Sequence, residues 1–537
     1  MTSMLDTLAW CAQLDRSAAT PLYQQLCDSL RTAILAGRIE PGVRLPSTRD
    51  LADELNISRN TVVVAYDQLQ AEGFLDALVG HGTVVSRQLS NRLRRPPAGD
   101  HAEAPLRLAA RAAQVQRLAA RGQAAAPAPI PHRAATLFRV GVPALDEFPM
   151  KTWGRIVSRR AHRLSADHLD YQGAAGHAPL RRAIAAYLGV SRGITCDADE
   201  VLIVAGAQGG MSLAAQVLLD PGETAWVEDP GYRNALGALV GAGVRAQPVP
   251  VDSEGIDVTM GRRLAPAARL ACVTPSHQFP LGITMSLSRR LDLLAWARQA
   301  GAWIMEDDYD SEFHYAGHTV RALRGLDCGA DQVIYVGSFS KIMFPGLRLG
   351  YLVVPGAHAR AFQAALRFTQ LQVPLLEQAA TADFILEGHL ARHIGRMRSI
   401  YAERQAALVS SLRRHFGGPA GLPAGGMHLV LPLGDGCNDV AIAALAARQG
   451  LGVQALSQHC AESGAITGAD TGAGHPSRRG LLIGFANTPV ERMERGVATL
   501  AAIVDQVGHG APMPPAPGLR RDLPERAAAT LGACLHA

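Results

Sequence analysis

The chain holds 52 Lys plus Arg, yet only two of these are lysines, Lys151 and Lys341. Arginine carries the positive charge everywhere else, so a retained lysine asks for a chemical reason. Lys341 lies in "SFSKIMFPGLRLGY", Ser338 to Tyr351, with Ser338 and Ser340 beside it and Arg348 downstream. A primary amine can form a Schiff base with an aldehyde, which a guanidinium cannot. The two hydroxyls and the arginine are what a phosphate requires, namely donors and a bidentate cation. An amine set among phosphate ligands points to an aldehyde cofactor, and pyridoxal 5'-phosphate is the commonest of these. Lys151, in "FPMKTW", has no such company and reads as a surface residue.

Two other stretches suit the same ligand. "GAQGG", Gly206 to Gly210, falls between the apolar run "VLIVA" and a helical run. Such a turn aims free backbone N–H groups at an anion. "AWIMEDDYD" is a strand pattern that ends in carboxylates. At a strand end one carboxylate can keep a pyridine nitrogen protonated, which makes the ring an electron sink.

The elements that position these residues need a large core. With 537 residues, 48% of them hydrophobic, the chain is expected to form two or three domains. Its longest uncharged run, Val201 to Leu219, is broken by two Gln, a Ser and a Gly pair. That run reads as a buried strand, a glycine turn and a helix, not as a membrane span. No export signal is expected from the opening residues. Eight scattered cysteines show no CxxC and no paired Cys/His spacing, which argues against a zinc site or a disulfide framework. Reduced thiols in a cytoplasm fit best.

Charge divides the chain more usefully than the net +5 does. Residues 1–95 hold ten Arg against ten acids, whereas 86–133 hold nine Arg against two. The basic excess sits in an Ala/Pro/Arg-rich segment without aromatics, read as a connector over 87–135 with one short helix around Leu106 to Ala120. It separates a unit at 1–86 from a large α/β unit at 136–505, and a Pro-rich tail occupies 506–537.

The small unit has its own pattern. Leu22, Leu26, Leu30 and Ile34 recur at helical spacing up to Gly37. Ser47 and Ser58 each stand where an N-cap belongs, with Asp50 as a capping partner for the first. Two short helices joined by a tight turn make a helix-turn-helix. "FLDALVGHGTVV" follows as two short runs about a Gly-His-Gly turn, the pattern of a β-wing. In such modules the start of the second helix, here Ser58, Arg59, Asn60 and Thr61, enters the major groove.

The motifs "PLYQQL", "GRIEPGVRLPSTRDLA", "SRNTV", "AYDQLQAEGFL" and "GHGTVV" together resemble the winged helix-turn-helix of GntR-type bacterial regulators across residues 20–86. The resemblance implies that Arg49, Ser58, Arg59, Thr61, His81 and Gly82 contact DNA. Residues 136–505 resemble a fold-type I, aspartate-aminotransferase-like domain. That likeness implies that Lys341 forms the Schiff base, that Asp307 pairs with the pyridine nitrogen, with Asp308 the weaker candidate, and that Tyr309 donates to the ring hydroxyl. It also implies that Tyr232 stacks on the ring and that Ala207, Gln208, Ser338, Ser340 and Arg348 hold the phosphate. Tyr171, in "YQGAAGHAPLRRAI", corresponds to a tyrosine that reaches the neighbouring subunit's phosphate, which implies a homodimer. "PSHQFPLG" stands in place of the usual "NPTG", leaving His277 and Gln278 without assigned roles.

Joined, the two units are similar to MocR/GabR-type transcriptional regulators. The likeness implies an operator-binding regulator whose cofactor domain senses an amine, an amino acid, a sulfonated amine or pyridoxal phosphate itself. The alternative is a working aminotransferase with a DNA-binding appendage. "RRGLLIGFANTP" departs from the aminotransferase pattern: either Arg479 grips a ligand carboxylate, or Leu481 and Leu482 have replaced that grip.

Overall fold

The computed structural model describes residues 14–78, 82–88, 109–123, 137–315, 321–326, 329–369, 373–417, 425–434, 436–461 and 479–508. The chain forms two compact units, one up to Arg107 and one from Leu108 onward.

The first unit contains α1 (Leu22–Leu35), α2 (Thr48–Glu54), α3 (Arg59–Ala71), β1 (Leu75–Leu78) and β2 (Gly82–Val85). Each helix buries one stripe: Leu26, Leu30 and Ile34 from α1, Leu51 from α2, and Val62, Tyr66 and Leu69 from α3. The Ser47 hydroxyl accepts from Asp50 N at 3.2 Å and donates to the Asp50 carboxylate at 2.7 Å. Ser58 accepts from Thr61 N at 3.1 Å. Between the two helices Asn56 adopts φ +51°, a left-handed conformation that asparagine tolerates better than most residues. The strands β1 and β2 pair antiparallel from Leu75↔Val85 to Leu78↔Gly82. Helix-turn-helix and wing therefore lie where the sequence placed them; His81 is outside the described residues.

The second unit is built on eight strands: β3 (Val201–Val204), β4 (Thr224–Asp229), β5 (Arg245–Asp252), β6 (Gly255–Ile256), β7 (Leu270–Val273), β8 (Trp303–Asp308), β9 (Val333–Ser338) and β10 (Gly350–Val353). Their order is β3-β10-β9-β8-β7-β4-β5-β6. The strands β9, β8, β7, β4 and β5 run parallel, while β10 is antiparallel to both of its neighbours. Their near-continuous apolar runs follow from burial on both faces. Alternate residues feed two cores: Val201, Ile203, Tyr351 and Val353 on one side, Leu202, Val204 and Leu352 on the other. A smaller antiparallel sheet, ordered β11-β13-β12, consists of β11 (His428–Pro432), β12 (Gln454–Ala455) and β13 (Gly480–Gly484).

Four helices matter for the site: α4 (Ala110–Gln123), α5 (Gly206–Leu218), α6 (Arg233–Gly241) and α7 (Phe339–Ile342). The first of these realises the helix expected inside the connector, shifted a few residues along. It packs against α6, so this part of the connector belongs to the large unit. Most of the remaining connector, and the tail from residue 509, lie outside the described residues.

Trp226, in the middle of β4, stacks on Trp296 with ring centroids 3.8 Å apart and donates its indole N–H to Ala265 O at 3.0 Å. Gly261 makes room for it, since a Cβ there would lie 2.8 Å from the indole. Replacing Trp226 with alanine should lower the stability of the large unit by about 3–5 kcal/mol, the usual range for emptying such a site. Urea unfolding followed on each unit should show the large unit's transition moving down and the small unit's staying in place.

Candidate functional site

Strand register assembles the first half of the site. Ser338 at the end of β9 pairs with Gly350 at the start of β10, and Gly350 pairs with Val204 at the end of β3. This brings Ser338 beside the turn that opens α5. A Cβ at Gly350 would lie 2.8 Å from the Gly206 carbonyl carbon, so the close approach requires glycine. Ala207 and Gln208 fall in the first turn of α5, where backbone N–H groups lack helical partners, and no acidic side chain occupies that turn. Gln208 donates to Asn234 O at 3.1 Å, and its buried Oε1 has no partner. Ser338 caps α7 by accepting from Ser340 N at 3.1 Å. Arg348 holds φ +51°, a sparsely populated conformation for a non-glycine residue, and its side chain is exposed.

The second half lies at the end of β8. Strand alternation sends Asp307 and Asp308 to opposite faces. Asp308 forms an ion pair with Arg192, whose Nε lies 2.7 Å from Oδ2, and accepts a hydrogen bond from the Tyr335 hydroxyl at 2.7 Å, which makes it a buried structural partner. Asp307 is 5% exposed and its Oδ1 has no hydrogen-bond partner. Burial, reinforced by the charges of Asp308 and Glu228 and opposed by Lys341, pushes its carboxyl up to about 8. Lys341 donates to Gly141 O at 2.5 Å. Burial lowers its pKa, against the pull of Asp310 and Asp307. Gly141 has φ +70°, and a Cβ there would sit 3.0 Å from the Lys341 amine.

Around this pair stand aromatic and histidine side chains. Tyr232 is pushed up to about 12 by burial and then by the charge of Asp307, with Asn234 and Arg348 acting the other way. Its hydroxyl accepts from Asn234 Nδ2 at 2.9 Å. The Tyr309 hydroxyl lies 2.9 Å from His277 Nδ1, which is 3.1 Å from the Asp310 carboxylate. Gly426 must be glycine, for a Cβ would overlap the His277 ring at 2.0 Å. His277, Asp310 and His428 bring ligand atoms within 4.8 Å of one another, all buried, so a trio able to hold a metal ion exists despite the unpromising cysteine and histidine spacing. Their separation in sequence hid it. Gln278 has a structural place, its amide donating to Pro230 O at 2.9 Å and Phe279 O at 2.7 Å.

Other expected residues lie apart from this centre or engage elsewhere. Tyr171 is 95% exposed on the single chain. Lys151 is exposed, as its sequence context suggested. Arg479 donates to Asp439 Oδ1 at 3.1 Å, and Asp439 also accepts from Ser457 N and Oγ. Leu481 and Leu482 are fully buried in β13.

On the small unit Ser58, Arg59 and Asn60 are exposed at the head of α3, and Arg49 is exposed in α2. Arg59 Nε reaches Thr48 Oγ1 at 3.4 Å, while Thr61 is half-buried and bonded to Ser58. Gly82, at φ +80°, opens β2 next to Arg44, whose guanidinium would lie 3.1 Å from a Cβ there. Arg44 was not singled out from sequence, because nothing local ties it to the wing.

These two architectures have known counterparts. Residues 22–85 match the family model "Bacterial regulatory proteins, gntR family", and residues 139–471 match "Aminotransferase class I and II". The chain is 38% identical over 493 residues, 91% of its length and 94% of the relative's, to the probable rhizopine catabolism regulatory protein MocR of Rhizobium meliloti. It is 31% identical over 455 residues, 85% of its length and 92% of the relative's, to the pyridoxine biosynthesis transcriptional regulator PdxR of Corynebacterium glutamicum. Among solved structures it is similar to LysN, an α-aminoadipate aminotransferase of Thermus thermophilus complexed with N-(5'-phosphopyridoxyl)-L-leucine. That match has a TM-score of 0.61 at 26% identity and covers 72% of this chain and 97% of LysN. The chain thus belongs to the MocR-type transcriptional regulators, in which a GntR-family winged helix-turn-helix is continued by an aminotransferase class I and II domain.

Proposed function

We propose that the large unit binds pyridoxal 5'-phosphate and uses it to sense an amine-bearing effector, and that two copies of the chain act together on operator DNA in the cytoplasm. The observation that carries the cofactor is Asp307, a buried carboxyl with an oxygen left without a partner, within reach of the charge of the half-buried Lys341. Bound there, the cofactor supplies an aldehyde that amines capture and a ring that draws electrons. The chain's own residues supply the rest. Asp307 takes a proton-bearing ring nitrogen as the partner it lacks. Lys341 presents its amine, kept by burial in a more nucleophilic balance than an exposed lysine has. Tyr309, braced by His277, offers a hydroxyl to the ring oxygen. Tyr232 covers the ring, and the first turn of α5 with Ser338, Ser340 and Arg348 receives the phosphate.

An effector amine that took the cofactor's aldehyde in place of Lys341 would leave the lysine as a free amine, which would alter charge at the centre of the unit. With Arg479 turned to Asp439 and two leucines in β13, the site favours the amine of the effector as its handle over an α-carboxylate. Tyr171, exposed on the single chain, extends to the phosphate of a second copy. On DNA, Arg59 reads a base edge in the major groove, Arg49 anchors phosphate, Ser58 and Thr61 support the helix start, and His81 and Gly82 approach the minor groove.

Reduction with borohydride in the presence of pyridoxal phosphate should attach the pyridoxyl group to the Lys341 peptide and leave Lys151 unmarked. A label on Lys151, or no label at all, would overturn the assignment. Arg59→Ala should cost roughly 1–3 kcal/mol on the cognate operator and relax preference at one base pair, while Arg49→Ala should weaken all sequences alike and flatten the salt dependence. Mobility-shift titrations at several salt concentrations separate the two. Lys341→Ala should still bind operator DNA but lose its response to pyridoxal phosphate plus effector, a coupling typically worth about 1–3 kcal/mol. A full response in that variant would place the signal somewhere other than Lys341.

A further inference from the structure

β4 ends at Asp229, and the residues after it enter α6. This short stretch is tied in four directions. Tyr232 lies within range of the charges of Asp307 and Arg348. Asn234 meets the Tyr232 hydroxyl and, through its carbonyl, Gln208 in the first turn of α5. Gly231 N donates to His459 O at 3.0 Å, and Asp229 Oδ1 accepts from Ala461 N at 2.8 Å, which join the stretch to the segment after β12. Arg233 makes the fourth tie: it donates to Gln458 O at 2.6 Å and to Leu118 O of α4 at 3.3 Å.

The helix at the far end of that last bond is weakly held. Among its described side chains, 110–120, none is buried, and only Ala112, Ala113 and Leu118 are half-buried. A 14-residue helix is marginal by itself in water. Its polar attachment to Arg233 lies toward its C-terminal end, where a cation is favoured. The same helix interrupts the chain that leads to the DNA reader. With α4 docked, the tether from Gln88 to Ala110 reaches at most about 75 Å; with it released, the tether from Gln88 to Leu137 reaches at most about 170 Å.

We infer that α4 is a releasable latch on the tether of the reader, and that Arg233 is the positioning residue that couples it to the cofactor site. The inference rests on the reading that Tyr232 covers the cofactor ring. A ligand that shifts Tyr232 shifts its chain neighbour Arg233, and with it the bond to Leu118. Release raises the upper bound on the reader's reach a little more than twofold, by the number of residues alone. The effector thus acts on DNA binding through tether length, with no contact to the reader required.

Hydrogen–deuterium exchange over 110–123, measured on the full chain, tests the latch. The chain is loaded with pyridoxal 5'-phosphate and then treated with methoxyamine, an amine that captures aldehydes. In the wild type, exchange over 110–123 should rise about fivefold or more on treatment. In Arg233→Ala it should be fast before and after. Leu118→Asp, which acts from the connector side, should do the same, and it decides the matter should Arg233→Ala fail to fold. Both variants should keep the borohydride label on Lys341, so loss of that label strikes the cofactor reading and not the latch. Equal exchange in the wild type before and after methoxyamine, or exchange unchanged by either variant, would falsify the latch.

Discussion

Burying a carboxylate costs several kcal/mol unless a cation or a set of donors meets it, and β8 buries three in succession. Glu306 accepts from Leu323 N and Arg324 N at 2.9 and 3.0 Å. Asp308 takes Arg192 and Tyr335. Asp307, between them and on the other face, keeps an oxygen without a partner. The fold thus gives two of the three carboxyls internal partners and leaves the third, pushed up to about 8 by burial, with an oxygen to spare. Lys341 opposes the upward shift of that carboxyl, and Tyr232 in turn feels its charge.

The half of the site formed by β9, β10 and the start of α5 depends on a different constraint, close backbone approach. Gly350 admits the Gly206 turn, and the antiparallel placing of β10 between β9 and β3 sets Ser338 next to the start of α5. Side chains contribute less here than strand order does. The reader unit is organised more locally. Two serine caps and one left-handed asparagine fix its helices, and the exposed Arg59 and Arg49 then follow from helix geometry.

The proposed regulation joins these units through chain connectivity. If the large unit senses an effector, as proposed, it needs a physical link to the DNA reader whose state depends on the ligand. The short stretch 229–234 contains Tyr232 and bonds to Gln208 in the first turn of α5, to the segment after β12 and to the connector helix. Its position, one residue from the site and one bond from the connector, makes it the natural place for that dependence.

The sequence alone determined a good deal, because the decisive signals were local. Lys341 with its hydroxyls and arginine, the strand-turn-helix at Gly206, the serine caps and the Gly-His-Gly wing each lie within a dozen residues. Amphipathic spacing likewise gave α1 and α3 without any knowledge of their partners. What needed tertiary structure was anything set by pairing across distance. Whether Asp307 or Asp308 faces the site was decided by Arg192, more than a hundred residues upstream. Arg479 is held by Asp439 through the packing of β13 against its neighbours, and no spacing rule predicts that bond. Gly141, Gly426, His428 and Arg44 carry no motif, and they matter only because the fold brings a lysine, an imidazole or a wing turn against them. Local chemistry is written in the order of residues, whereas the choice between two adjacent carboxylates belongs to the sheet, which alternates them onto opposite faces and supplies a partner to one of them.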